Sequence, residues 1–279
     1  QLFNNRKNRF IAQNGSFDCG WLWYKDRIHV PKIWFDTLLA HHTLYPRLPH
    51  NLGYLTAQYT DHPYYKDEGK TWREGGNINQ FWDYNIKDCC ITWAVHERVY
   101  KELREQKLDD FFFSHVMRLQ PHLVKMQVGG ILADIPLKNQ ISEQLKDELD
   151  GKLIEFHNRV HVLTGDENFK PNPKSPRQLS ELFFNYLGLV GRGGSTNKDN
   201  RQRMRDNPRT SEEHKELLIV LDDYLTEQKF YSTYATQRVD ADHRIRCEYK
   251  QFGVQAAPGR LSSSGTMWGS GMNLQNQPV

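Results

Sequence analysis

The chain has 279 residues, 38% of them hydrophobic and 25% charged, enough for one large domain or two to three ordinary ones with cores of their own. Its mean hydropathy is -0.77, and no stretch approaches the roughly 18 consecutive apolar residues of a membrane span. Lys and Arg number 37 against 34 Asp and Glu, a net charge of +3, which excludes a polyanion binder working by bulk charge and makes any nucleic-acid site a local one.

Cys19, Cys89, Cys90 and Cys247 form no C-x-x-C pair. That argues against a zinc ribbon or a disulfide framework and makes a reducing cytosol the expected compartment. The chain opens at Gln1 without a charged and apolar leader pattern and stops after Asn276-Gln277-Pro278-Val279 without a capping element. A piece of a longer reading frame is expected.

In chain order, Arg9-Phe10-Ile11-Ala12 is a short apolar run suited to a buried strand, and residues 16–23 place Phe17, Trp21 and Leu22 at helical spacing. Asp36-Thr37 reads as a strand-to-helix cap. Residues 86–103 carry Cys90, Ile91, Ala94, Val95, Val99 and Leu103 on one face, with Glu97 and Lys101 as an i, i+4 pair. This predicts an amphipathic helix. Together these elements predict an α/β domain over residues 1–108 whose opening strands would precede Gln1.

Residues 109–236 read as mostly helical. Ile135-Pro136 opens a long helix, with proline suited to the first turn, and the stripe Leu137, Ile141, Leu145, Leu149, Leu153 and Val160 needs a partner. Ser175-Pro176 opens another, which carries Leu179, Leu182, Phe183 and Leu187 and ends at Gly188, where a left-handed cap is easiest. Residues 191–209 lack apolar periodicity and are expected to form a mobile loop, while 217–234 return to helical spacing. From 237 the period changes. Arg244-Ile245-Arg246-Cys247-Glu248-Tyr249-Lys250 alternates as one half-exposed strand after a turn at Asp240-Ala241-Asp242-His243.

Two constellations can carry chemistry. Asn14-Gly15-Ser16-Phe17-Asp18 places an acid where a helix begins after a strand, a position that also suits a plain dipole interaction. Tyr84-Asn85-Ile86-Lys87-Asp88 puts a phenol and a carboxylate one helical turn apart, able to hold a metal-bound water or to be an ordinary surface pair. Joined, they make half of a two-metal phosphodiesterase site, because hard cations such as Mg²⁺ take carboxylate oxygen. Asp36 is a weaker candidate for the other half. His41, His42 and His50 lack ligand spacing and read as packing residues, as do most of Trp21, Trp23, Trp34, Trp72, Trp82 and Trp93, with one or two exceptions in the cleft. Gly191-Arg192-Gly193-Gly194 lacks the G-K-[ST] ending of a phosphate loop. In 191–209 six cations, Arg192, Lys198, Arg201, Arg203, Arg205 and Arg209, face two acids, so this segment is either a clamp on duplex phosphates or a solvated loop.

Asn14-x-x-Phe17-Asp18 and Tyr84-x-x-x-Asp88 resemble the second and third motifs of the 3′ to 5′ proofreading exonuclease of family A DNA polymerases, and residues 36–52 resemble the segment that joins them in the bacteriophage-type members. Lys125-Met126-x-x-Gly129-Gly130-Ile131-x-x-Asp134, Phe169-x-Pro171-Asn172-Pro173-x-Ser175-Pro176-x-Gln178-Leu179 and Lys229-x-Tyr231-Ser232-Thr233-Tyr234 follow the order of that family's thumb. Gly259-Arg260-Leu261-Ser262-Ser263-Ser264 and Asn273-Leu274-Gln275-Asn276-x-Pro278 resemble the beginning of its palm.

The resemblance implies a ribonuclease-H-like α/β exonuclease domain in residues 1–108, a helical thumb in 109–236 and the first strands of a polymerase palm in 237–279. It implies Asp18 and Asp88 as metal ligands, Tyr84 as the residue that orients the attacking water, and Mg²⁺, with Mn²⁺ as a substitute, as the two-metal cofactor. Arg260, Asn273, Gln275 and Asn276 would approach primer-template DNA near the primer end, joined by Arg201, Arg203 and Arg205 of the basic tract. Arg, Gln and Asn are donors suited to minor-groove acceptors present at every base pair; without the resemblance, Gln275 and Asn276 would equally suit a role satisfying turn backbone, and the resemblance favours the DNA contact. The expected partners are primer-template DNA, single-stranded 3′ ends and, in the full-length protein, deoxynucleotides, with no membrane, in the cytoplasm of a bacterial or phage-infected cell.

The family's Asp-x-Glu pair would fall before Gln1 and its polymerase carboxylates after Val279, so the segment alone is expected not to polymerise. Residues 265–272 are longer than the family's usual spacer, and Gln277 stands where an apolar residue is common. The rival readings are a stand-alone 3′ to 5′ exonuclease, which leaves 259–278 unexplained, and a non-catalytic DNA-binding module.

Overall fold

The computed structural model describes the chain apart from residues 1, 2, 4, 6, 31, 70–76, 254–258 and 277–279, and Asn276 by its backbone alone. It divides into two units, Gln1–Leu132 with Arg238–Val279, and Ala133–Gln237.

In the first unit, strand β1 (Ile11–Ala12) runs parallel to β2 (Phe35–Asp36), with Ala12 opposite Asp36. Helix α1 (Gly15–Asp26) lies between them in sequence. The turn into α1 is tight. Asn14 sits at φ 61, a left-handed conformation that asparagine tolerates better than most residues, and a Cβ on Gly15 would stand 2.8 Å from that of Ala12. The side chain of Asn14 makes no cap. Instead the Asp36 carboxylate accepts from the backbone N–H groups of Asn14 and Gly15 at 3.0 and 2.7 Å. It also caps helix α2 (Thr37–Leu44) through Leu38 N and Leu39 N and accepts from Gln120 Nε2 at 2.9 Å. Asp36 is thus the cap that its place in the sequence predicts, serving two helices at once.

Helix α3 (Leu52–Tyr59) and α2 both pack on the long helix α4 (Ile78–Glu105). Ile91, Val95, Val99 and Leu103 recur every fourth residue and are buried, as the periodicity predicts. Cys90 is exposed, on the other side of the helix. Lys101 lies 3.7 Å from Glu105, the next acid at i, i+4 spacing, rather than pairing with Glu97 as expected. Phe35, fully buried, anchors an aromatic cluster with His96, Tyr100 and Phe112. After a wide π-type turn at Phe112–Val116, helix α5 (Met117–Gly129) packs against α1.

The second unit is built on α6 (Ile135–Thr164), opened by Asp134, which accepts from Leu137 N, and by Pro136 in the first turn. Its partner is the C-terminal helix α9 (Glu212–Phe230). The partner covers only part of the predicted stripe: Leu149 and Val160 are buried, whereas Leu137 and Ile141 are 50% and 42% exposed. Helix α7 (Pro176–Ser180) is capped by Ser175, continues as a π-type turn through Tyr186 and reaches Gly188 at φ 59. The expected loop at 191–209 is in fact part helix, α8 (Lys198–Asp206), capped by Asn197. Its inward face is Asn200, Arg201 and Met204, so a single apolar residue marks it and no hydrophobic period is legible.

The chain then returns to the first unit. Strand β3 (Ile131–Leu132) pairs antiparallel with β4 (Arg244–Ile245), and β5 (Glu248–Lys250) with β6 (Ser262–Ser264). The turn at 240–243 is present, closed by His243 N donating to Asp240 O at 2.9 Å. The single strand expected over 244–250 is two, because Arg246 and Cys247 both turn inward, 4% and 1% exposed. The Arg246 guanidinium donates to Asp240 Oδ2 at 2.6 Å, to Asp242 Oδ1 at 2.8 Å and, through Nε, to Val128 O at 2.8 Å.

This ion cluster sets an acid limit. The Arg246 hydrogen bonds hold the Asp242 carboxyl down at about 2, below its ordinary 3.8. A depressed carboxyl contributes stability above its unfolded pKa and loses it as pH falls through the folded one. Asp242 should therefore contribute a loss of stability as pH falls from about 4 to 2, and Asp242→Asn should remove that share of the slope. The amplitude should stay below about 1 kcal/mol, because the Asp242 side chain is 53% exposed.

Candidate functional site

Helix α1 presents Asp18 and, one turn on, Leu22 to a cleft of about 620 Å³, which Asp88, Lys66 and Trp93 also line. The cleft brings together the two carboxylates singled out in the sequence. Burial pushes the Asp18 carboxyl up from its ordinary value. On α4, Tyr84 stands one turn before Asp88. Two residues that the sequence does not mark complete the group. Tyr65, 3% exposed, donates its hydroxyl to Asp88 Oδ1 at 2.5 Å, and Lys66 Nζ reaches Asp88 Oδ1 at 2.6 Å and Tyr84 OH at 3.0 Å. Burial and the bond to Asp88 push the Tyr65 phenol well up, which keeps it a donor. Asp88 thus already accepts one cation and one hydroxyl.

Asp18 and Asp88 are oxygen donors of the class that Mg²⁺ selects, and the Lys66 contact shows that Asp88 takes a positive charge at this spot. The pair fits part of a divalent-cation site. Among the described residues no group of three or more His, Cys, Asp or Glu is arranged to hold a metal. Asp36 does not extend the set, since both its oxygens are engaged by N–H donors. His41 and His50 meet Nδ1 to Nδ1 at 2.8 Å, and burial holds His50 down at about 4, in keeping with a packing role. Trp93 is 56% exposed at the cleft and Trp82 is 63% exposed, while Trp34 packs in the aromatic cluster; Trp72 lies outside the described residues.

The residues expected at DNA differ in their surroundings. Arg260 and Gln275 are exposed. Asn273 turns its amide oxygen to Ser263 Oγ and to Gln275 N, capping the short turn Leu274–Asn276. The side chain of Asn276 is outside the described residues. In the second unit Arg203, Arg192, Lys198 and Arg209 are exposed. Arg201 is not: it is 7% exposed and pairs with Asp222 Oδ1 at 2.6 Å, while Arg205 Nη1 pairs with Asp222 Oδ2 at 2.9 Å. A buried guanidinium matched to a carboxylate holds α8 to α9, and its charge is spent inside the unit. Arg203→Ala should accordingly leave the melting temperature near that of wild type, because its guanidinium is exposed. Arg201→Ala should instead lower it, and thermal melting of both variants separates the buried cation from the exposed one.

Residues 1–104 match the family profile described as "3'-5' exonuclease". Along the whole chain, the DNA polymerase of Escherichia phage T5 is 25% identical, covering 100% of this chain and 35% of that protein. DNA polymerase I of Synechocystis is 26% identical over 96% of this chain and 27% of its own length. The chain thus resembles DNA polymerases along its whole length and a 3′-5′ exonuclease over residues 1–104. It spans about a third of the length of these relatives. The fold agrees: the POL domain of Pol1 from M. smegmatis, solved with DNA primer-template and dNTP, superposes with a TM-score of 0.68 at 18% identity, over 99% of this chain and 44% of that one. The partial α/β exonuclease fold followed by a helical region, expected from the motifs, is the fold observed. Among the described residues no helix is long and apolar enough to cross a membrane.

Proposed function

We propose that the chain is a central part of a bacteriophage-like family A DNA polymerase that replicates DNA and proofreads it in the cytoplasm of its host cell. Its first part would hydrolyse single-stranded DNA from the 3′ end, and the observation that carries this reading is the meeting of Asp18 and Asp88 in one cleft, with Tyr84 a turn away. Residues 1–108 would be exonuclease, 109–236 thumb and 237–279 the start of the palm. The separate helical unit Ala133–Gln237 supports a thumb.

Asp18 and Asp88 would hold Mg²⁺, or Mn²⁺ in its place, together with acids from elsewhere in the protein. Bound there, the metal pair supplies a nucleophilic water at neutral pH and charge neutralisation for the leaving oxygen. Tyr84 would orient the attacking water through its hydroxyl, which Lys66 holds at 3.0 Å. Lys66 would keep Asp88 in place before the substrate arrives. Arg260, Asn273, Gln275 and Asn276 would follow the minor groove near the primer end, and Arg203 with its exposed neighbours would contact duplex phosphates; deoxynucleotides would bind beyond this segment.

The test uses the protein as its gene encodes it. A 5′-labelled single strand should shorten stepwise from its 3′ end with Mg²⁺ or Mn²⁺ and stay intact with a chelator. Complete inactivity with both metals would leave DNA binding without chemistry, and the proofreading reading would fall.

A further inference from the structure

Helix α1 has two working faces. At 100° per residue, Asp18 and Leu22 share the cleft face, whereas Gly20 and Tyr24 lie on the opposite one. That back face meets α5 through Gln127 and, beside it, residues 265–272, the segment longer than the family's spacer. The Trp268 ring stacks on Tyr24 with centroids 4.0 Å apart and planes 8° from parallel. A Cβ on Gly20 would stand 3.1 Å from Gln127 Nε2 and 3.2 Å from Met267 Cε, so the helix is bare of side chain where α5 and the tip of the segment both approach.

The tip is held stiffly. Thr266 N and Oγ1 both donate to Ser270 O at 2.7 Å, Ser270 N returns to Thr266 Oγ1 at 3.1 Å, and Gly269 N closes the turn on Thr266 O. Its base is tied to the ion cluster: Met272 N donates to Arg246 O at 3.1 Å, and a Cβ on Gly271, at φ 78, would collide with that same carbonyl. The Arg246 guanidinium in turn lies 5.2 Å from the Tyr24 ring. Among the described residues Trp268 Nε1 is buried without a hydrogen-bond partner, and the contact that the ring makes with α1 is the stack on Tyr24. The very next residue after this segment is Asn273, which orders the turn bearing Gln275.

We propose that Trp268 is a positioning residue for the exonuclease cleft: stacked on Tyr24, it fixes the rotation of α1 and so the place of Asp18. This rests on the exonuclease reading of Asp18. A helix that rocks on its axis displaces its carboxylate, and small misplacements of a reacting group are costly in rate.

The test compares Trp268→Ala, Trp268→Phe and Tyr24→Leu in the protein as its gene encodes it, by hydrolysis of a labelled single strand with Mg²⁺, by primer extension and by amide exchange across Gly15–Asp26. Trp268→Ala should lower kcat for hydrolysis on the order of 10-fold with KM unchanged, leave extension of a matched primer unaltered and speed exchange in α1. Trp268→Phe should restore most of the rate. Tyr24→Leu, which keeps an apolar side chain without the stack, should reproduce the loss, and it carries the test if Trp268→Ala fails to fold. Unchanged exchange in α1, an unchanged kcat, or equal losses of hydrolysis and extension overturn the proposal. A wild-type protein that hydrolyses no 3′ end sinks the exonuclease reading and the positioning role of Trp268 with it; unchanged exchange beside an active wild type sinks the positioning role alone.

Discussion

On the proposed exonuclease role, Asn in place of Asp88 is expected to lower 3′ to 5′ hydrolysis by roughly 10²-fold or more, the scale of several kcal/mol that a metal-holding carboxylate contributes to the transition state, while single-stranded DNA still binds. The substitution is close to isosteric. Tyr65 can still donate to Oδ1 at the position it now occupies, so the site keeps its shape and loses its charge. Asp18→Asn should cost a similar factor, and the double variant should be little worse than either single one, because groups that serve one site fail together. Single-turnover hydrolysis set beside fluorescence anisotropy decides the matter; rates within about three-fold of wild type for both variants would mean that these acids are dipole and surface charges. Lys66→Met is a companion measurement. It removes the ammonium at 2.6 Å from Asp88, a pair with side chains 21% and 29% exposed, and should cost about 1 kcal/mol of stability at most.

The parts of the site that were legible in sequence are those whose chemistry is local. Tyr84 and Asp88 are one helical turn apart on a helix whose buried residues recur every fourth position, so their common face could be read directly. Asn14, Gly15 and Asp18 mark a turn and a helix start by conformational need: a left-handed residue, a close approach, an acid in the first turn. What was not legible depends on partners far along the chain. Tyr65 reaches Asp88 across 23 residues, and neither flanking residue advertises it. Arg201 belongs to a tract that looks uniformly solvated, yet its partner Asp222 lies 21 residues later and takes it inside. Arg246 was an alternating charge in an apparent strand until Asp240, Asp242 and Val128 drew it inward and broke the strand. An α-helix whose buried positions are Asn, Arg and Met, as in Lys198–Asp206, has no hydrophobic period to read.

Asp36 bears the largest stability prediction, because one carboxylate closes two helix ends and a tertiary contact. Oδ1 accepts from Asn14 N and Leu38 N, and Oδ2 from Gly15 N and Gln120 Nε2, with Asp36 itself 1% exposed. Asp36→Ala would strand these donors in a dry interior and should destabilise the first unit by about 3–5 kcal/mol. Asp36→Asn should recover little of that. An amide offers one accepting oxygen and one donating nitrogen, and on either side that nitrogen would point at N–H groups already in place. The pH dependence separates this from mere loss of volume. Burial pushes the Asp36 carboxyl up from 3.8 to about 6 against the pull of four backbone N–H groups. A raised carboxyl contributes most below its unfolded pKa and loses that contribution as pH rises through the folded one. Wild-type stability should therefore carry a downward slope from about pH 4 to 6 from this group, and Asp36→Asn, with nothing to titrate, should lack it. Denaturant melts of both proteins across that range measure the slope; parallel curves would show that Asp36 does not change its protonation on folding. Because the same carboxylate begins α1, a loosened Asp36 variant should also misplace Asp18, and its hydrolysis should fall before its global melting temperature is reached.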